Sequence, residues 1–369
     1  MKLISIRENL LEGIQTIQSA LSPRTTLPVL QNFLLETENS KVKIIFTDLE
    51  MAIKHYINAE VQDGGSITIP AKKFSDILHT FQSNMDIKIT TDNSNKIHIN
   101  SGKARFWVTG TQKDEYPVVP DINKSDSFII RASVLAEMIK RTIFASSSEE
   151  TRYVLNGLLW ISGKDGFEMV ATDGRRLALA KNKKSQNKKD FKIIVPTKVL
   201  YELIRFINSH EPESGEDVTV GVSTNQIGFQ IRNTTFISRL VDGSFPNYEQ
   251  VIPSKKDFIM EAPAGELTTI TKRAALCAND RAGMVKYTLK KDVLHVSSSS
   301  QNMEFEDEMP VSYKGENFQI AFNPQFIIDV LKNIESEKIT FGFTTPVNPV
   351  LIEPVGNGDF RYVVMPMRV

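Results

Sequence analysis

Apolar side chains recur at helical spacing in three stretches that are versions of one another. These are IPAKKFSDILHTF from Ile69, VPTKVLYELIRFI from Val195 and FNPQFIIDVLKNI from Phe322. Counted from Pro70, Pro196 or Asn323, the fourth position on is Phe74, Leu200 or Ile327, and the sixth is Asp76, Glu202 or Asp329. The seventh and eighth are Ile77-Leu78, Leu203-Ile204 and Val330-Leu331, and the eleventh is Phe81, Ile207 or Ile334. Apolar residues three and four apart with an acid between them predict one amphipathic helix with one buried stripe. From Pro70 to Pro196 is 126 positions and from Pro196 to Asn323 is 127, so the chain reads as a triplicated unit.

A second predicted helix opens each repeat, over Ile4–Leu21, Ile129–Ala145 and Ala264–Ala278. Leu11, Leu135 and Leu267 correspond, as do Ile14, Met138 and Ile270. Short β-branched runs fill the rest: VKIIFT, ITIPA, KIHINS and ARFWVTG in the first repeat, then LLWISG, FEMVAT, LALAKN, KIIVP and TTFISRLV in the second. Punctuated by turn residues, these predict strands that outnumber the helices. The repeats also end alike, in Tyr116-Pro117, Phe245-Pro246 and Met365-Pro366. The expected fold is α+β, with three similar domains over 1–125, 126–254 and 255–369, each with two helices packed on antiparallel sheet. The breaks fall in the polar stretches INKSDS and PSKKD.

Composition narrows the function. Lysine plus arginine and aspartate plus glutamate number 44 each, which argues against gripping nucleic acid by bulk charge. One cysteine, Cys277, excludes an internal disulfide framework and fits a reducing compartment. The start of the chain lacks the apolar run of a signal peptide, and no segment has the ~20 apolar residues of a membrane span. A soluble intracellular protein is expected. The run KNKKSQNKK at Lys181–Lys189 reads as a solvated hairpin loop.

Searches for catalytic chemistry return little. Five histidines show no metal-ligand spacing, no phosphate-binding loop is present, and Gly356–Gly358 is a turn, so neither metal nor cofactor is expected. Cys277 sits on a helix that reads as core. Asp48 in FTDLEM and Asp173 in ATDGRR form a Thr-Asp pair repeated at an interval of 125. An enzyme using them as catalytic acids is one reading. The stronger one is a Thr-Asp turn that hydrogen-bonds its own backbone at equivalent positions of two repeats, with Ser297–Ser300 there in the third.

ATDGRRLALA from Ala171, FPNYEQVIP from Phe245, TLPVLQNFLLE from Thr26 and the closing YVVMPMRV from Tyr362 resemble the bacterial replicative sliding clamps, the beta subunits of DNA polymerase III. The likeness spans all three repeats. It implies a homodimeric, head-to-tail ring of six domains that encircles duplex DNA and acts as a cytoplasmic, nucleoid-associated polymerase processivity factor without an active site of its own. Encirclement would explain the neutral charge, since strong phosphate pairing would impede sliding. The resemblance makes Arg24, Lys72, Arg152, Tyr153 and Lys198 DNA-facing, although Glu149 and Glu150 put acids where neutral polar residues are common. It sets Lys103, Arg105 and Phe106 of one protomer against Leu276, Cys277, Glu304, Glu306, Asp307 and Glu308 of the other.

By the same resemblance, a peptide-docking groove is formed by Leu155, Thr172, Gly174, Arg175, Arg176, Leu177, Pro246, Val251, Val347, Pro349, Val363, Met365, Pro366, Met367 and Arg368. Met and Pro walls suit aliphatic and aromatic anchors. The implied partners are the polymerase III alpha subunit, the clamp-loader delta subunit, other polymerases, ligase and mismatch-repair proteins. Gln250 stands where a basic residue is common, and Arg175 where histidine is. The alternative is a peptide-binding scaffold that works without DNA and closes no ring.

Overall fold

A computed structural model describes residues 1–18, 27–38, 41–122, 127–183, 190–209, 215–278 and 283–368. Among them are six α-helices: α1 (Arg7–Gln18), α2 (Ala71–His79), α3 (Ala132–Ile143), α4 (Thr197–Ser209), α5 (Ala264–Ala275) and α6 (Pro324–Lys332). The repeated stripe is the buried face of α2, α4 and α6. Phe74, Leu200 and Ile327 have no exposed surface, and Leu78, Leu203 and Val330 are buried beside them. Removing such side chains from water contributes about 2 kcal/mol apiece.

Every helix follows a strand almost directly, and proline marks four of the joints. Pro70 and Pro263 precede α2 and α5, Pro196 ends the strand before α4, and Pro324 opens α6 behind Asn323, whose side chain accepts from Gln325 N at 2.9 Å. Proline presets φ where the missing N–H has no intrahelical partner. The same junction corrects the expected start of α1 and α3. Lys2–Ile6 and Ser127–Arg131 are strands, and helix begins only at Arg7 and Ala132. Their Ile-rich residues extend because each run finds a neighbouring strand to pair with: Leu3 lies opposite Ile89, and Ile129 opposite Thr219. A helical stripe cannot be told from a strand over so short a run.

Two compact units result, and each combines strands from successive repeats. One comprises 1–133 and 198–240, the other 134–197 and 241–369. In the first, a five-stranded sheet ends at the edge strand Ala104–Thr109. An eight-stranded sheet joins Met51–Ile57 antiparallel to Thr234–Arg239, with Ile53 opposite Phe236. In the second, a four-stranded sheet ends at the edge strand Glu304–Pro310. A nine-stranded sheet joins Arg176–Asn182 antiparallel to Phe360–Val364, with Leu177 opposite Val363. α1 packs on α2 in the first unit and α5 on α6 in the second. Tyr116 and Phe245, the aromatics before the two linker prolines, are buried, and the Tyr116 hydroxyl accepts from Thr47 N at 3.1 Å. These anchors hold the linkers against the seams between repeats.

Candidate functional site

The Thr-Asp turns decide between the two readings of Asp48 and Asp173. Thr47 Oγ1 donates to Met51 O at 2.9 Å, and Asp48 Oδ1 accepts from the backbone of Glu50 and Met51 at 3.0 and 2.8 Å. Thr172 Oγ1 donates to Arg176 O at 2.6 Å, and Asp173 Oδ1 accepts from Arg175 and Arg176 N at 2.8 and 3.0 Å. Both carboxylates are committed to shaping a turn, and no cluster that could hold a metal occurs among the described residues.

In the second unit, the turn opens a cleft of about 530 Å³ including its mouth. Leu155, Thr172, Gly174, Arg175, Arg176, Leu177, Pro246, Val251, Val363 and Met365 line it, all of them among the residues that the resemblance assigns to a groove. Its floor is packed core, with Leu155, Leu177, Tyr248 and Val363 among one cluster that also holds Leu159, Val170 and Phe245. Gly174 turns the chain at φ 86, and a Cβ there would come within 3.2 Å of Arg152 Nη1. Met365, at the rim, is tied down by its N–H to Arg175 O at 2.9 Å. An apolar slot with a few polar groups at its rim suits short apolar anchors.

Five of the expected groove residues lie outside this lining. Val347 stands exposed in the 344–349 loop beside half-buried Pro349, and Pro366, Met367 and Arg368 follow the last strand. Met367 is drawn off to donate its N–H to Ala321 O at 2.7 Å. Two lining residues were not foreseen, Asn247 and Tyr248. They belong to the quoted string FPNYEQV, where an aromatic just after Pro-Asn was the available signal. Tyr248 is buried, and its hydroxyl donates to Glu168 Oε2 at 3.3 Å. Burial and the neighbouring Glu168 and Glu249 push its phenol far above the ordinary range.

The two sheet edges carry opposite charge. Alternation along Ala104–Thr109 puts Arg105 and exposed Trp107 on one face, with Lys103 just before, while Phe106 turns inward against Phe81 at 5.8 Å. Along Glu304–Pro310, Glu304, Glu306 and Glu308 share the exposed face. Asp307, on the other face, pairs with Arg273 at 3.3 Å, and His295 lies 3.2 Å from Glu308. Leu276 is exposed at the end of α5, whereas Cys277 is buried.

The DNA-facing candidates divide. Lys72 and Tyr153 are exposed, but Lys198 is ion-paired to Asp48, and Arg152 donates to Asp173 O and pairs with Glu149. Arg24 and residues 184–189 of the lysine run lie outside the described residues.

The N-terminal, central and C-terminal domains of the DNA polymerase III beta subunit match residues 1–120, 129–247 and 249–368. The chain belongs to that family. It is similar to the beta sliding clamp of Haemophilus influenzae, with 32% identity over 98% of both chains. To the beta sliding clamp of Escherichia coli it is 30% identical over the full length of each. The crystal structure of the Pseudomonas aeruginosa DNA polymerase III beta subunit superposes with a TM-score of 0.94 at 31% identity, covering 100% of both chains. Three beta-subunit domains on antiparallel sheets with six α-helices among the described residues are therefore the architecture of this chain. None of the helices among the described residues of this beta-subunit chain is long and apolar enough to cross a membrane.

Proposed function

We propose that the chain, a DNA polymerase processivity factor by its family, tethers replication and repair proteins to duplex DNA through the cleft at the second seam. The observation that carries this is the cleft itself: ten of fifteen expected groove residues converge on one apolar slot from four separate segments. Its occupants are peptides of the polymerase III alpha subunit, the clamp-loader delta subunit, other polymerases, ligase and mismatch-repair proteins. Three domains, over 1–125, 126–254 and 255–369, make the protomer. Two protomers close head to tail, Lys103, Arg105 and Phe106 of one meeting Leu276, Glu304, Glu306 and Glu308 of the other. Unpaired edge strands of opposite charge support this pairing and disfavour like-with-like. Such interfaces are heterologous, so two copies of one contact close the ring. Lys72, Tyr153 and Lys198 face the enclosed duplex, and the chain works in the cytoplasm without catalysing a reaction.

Retention on DNA tests the ring. The protein is loaded onto nicked circular plasmid by its loader, washed in high salt, and counted before and after the circle is cut. Survival on the circle with loss on cutting is expected. Loss in the salt wash alone would mean ordinary electrostatic binding, whose affinity falls steeply with salt, and would end the ring reading.

A further inference from the structure

The floor of the cleft is held from outside it. Tyr248 lines the slot and lies in one buried cluster with Leu155, Leu177 and Val363. Its hydroxyl donates to Glu168 Oε2 at 3.3 Å, and Lys181 Nζ donates to the other oxygen, Oε1, at 2.5 Å. Glu168 and Lys181 lie opposite each other on the strands Gly166–Thr172 and Arg176–Asn182, and neither belongs to the lining. Only 14% of the Glu168 side chain is exposed, so its carboxylate depends on these donors in place of water. Lys181 also donates its backbone N–H to Asp359 O at 2.7 Å, just before the strand Phe360–Val364 that carries Val363. Three of the four segments that line the cleft are therefore tied to this one node: the strands flanking the Thr-Asp turn, the linker with Tyr248, and the last strand.

The first seam shows that the fold does not require it. Counted back by the 125 positions that separate the two Thr-Asp turns, Glu168 corresponds to Lys43 and Lys181 to Tyr56. Lys43 pairs with Glu36 and Glu38, and the Tyr56 hydroxyl reaches Glu38 at 3.2 Å. Counted from the linker aromatics Phe245 and Tyr116, Tyr248 corresponds to Val119, whose carbonyl accepts from Lys54 Nζ at 3.1 Å. That linker is held by its main chain, with an aliphatic side chain where the second seam has a ring. The hollow beside it is polar, with Glu50, Gln226, Ser238 and Arg239 in its lining. The tyrosine–carboxylate–lysine node thus goes with the apolar slot and not with the turn.

We propose that Glu168, backed by Lys181, is a positioning residue of the docking cleft: it pins the Tyr248 phenol and so presets the floor against which an apolar anchor packs; the inference rests on the docking reading above. A ring already fixed in place costs the complex no further ordering. Removing the carboxylate frees the ring and leaves a buried hydroxyl without its acceptor, which weakens binding about three- to tenfold.

The test uses the full chain and one fluorescein-labelled synthetic peptide carrying Leu and Phe anchors. Affinity is read by fluorescence anisotropy and stability by urea denaturation. Glu168→Ala and Tyr248→Phe should each weaken binding about three- to tenfold. The double variant should bind as the poorer single variant does, because both changes remove one contact. Glu168→Gln, whose amide serves Lys181 through its oxygen and Tyr248 through its nitrogen, should recover most of the affinity. A merely structural pair would lower the urea midpoint and leave the affinity of the folded chain where it was. Wild-type affinity in Tyr248→Phe, losses that add in the double variant, or a Glu168→Gln variant no better than Glu168→Ala overturns the inference. Tyr248→Phe removes one oxygen from a packed ring, so its result decides the matter even where Glu168→Ala does not fold. If wild type does not bind the peptide, the docking reading itself fails and takes this one with it.

Discussion

Gly174 and Leu49 occupy one position of the same turn in the two seams, and both backbones are left-handed, at φ 86 and 78. Glycine adopts that conformation without cost, whereas a side chain with a Cβ is strained by about 1–2 kcal/mol. Gly174→Ala should therefore destabilise the chain by about 1–2 kcal/mol, and crowd Arg152 as well. Leu49→Gly should shift the urea midpoint the other way by a smaller amount, because Leu49 is exposed and little packing is lost. Urea denaturation of the two variants beside wild type checks both signs, and equal shifts in one direction would refute the comparison. Leu49 was visible in the sequence only as an apolar residue after Thr-Asp; its strain follows from the turn geometry, which the two repeats share.

Among the elements, the strand pair Asn32–Glu38 and Lys41–Thr47 carries a charge ladder. Lys43 lies 3.1 Å from Glu36 and 2.8 Å from Glu38, and Lys113 also reaches Glu36. Burial pushes Glu36 up, but hydrogen bonds from Lys113 and Lys43 outweigh it and hold the carboxyl below its usual range. A depressed folded-state value means that this stability is present above the unfolded carboxylate range, about pH 4.3, and is lost as pH falls through the folded value. Glu36→Gln should flatten the loss of stability below about pH 4.5 relative to wild type. Identical acid limbs in the two urea–pH profiles would count against it. The edge strands act by charge too. Glu306→Lys should weaken the homodimer about tenfold or more by sedimentation equilibrium, and adding Arg105→Glu should restore part of the loss, since the attraction is rebuilt with its signs exchanged. No recovery in the double variant would place these side chains outside the interface.

For the whole molecule, the proposed encirclement would account for a chain with no net charge. A ring held by topology needs few phosphate contacts, and two of the DNA-facing candidates, Lys198 and Arg152, already spend their charge inside the protein. Retention on closed circles should accordingly change little with salt that strips ordinary DNA-binding proteins, while linear DNA should lose the ring at its ends.

Local chemistry made much of this legible beforehand. The stripe from Phe74 to Phe81 and its two copies, the Thr-Asp turns and the buried linker aromatics depend on residues a few positions apart, whose periodicity and side-chain hydrogen bonding are written in the chain. The resemblance added ten of the residues that meet in the cleft. Long-range pairing had to be seen. Leu177 faces Val363, Tyr248 closes the floor, and Arg176 meets Asp329 from 153 positions away, because strand register across a seam brings those segments together. No hairpin turn fixes the register between strands so far apart in the chain, and no window of sequence contains both of them. The two cleft arginines were told apart in the same way: Arg175 and Arg176 are neighbours of equal charge in sequence, and only the tertiary partners that Arg176 finds among the described residues distinguish them.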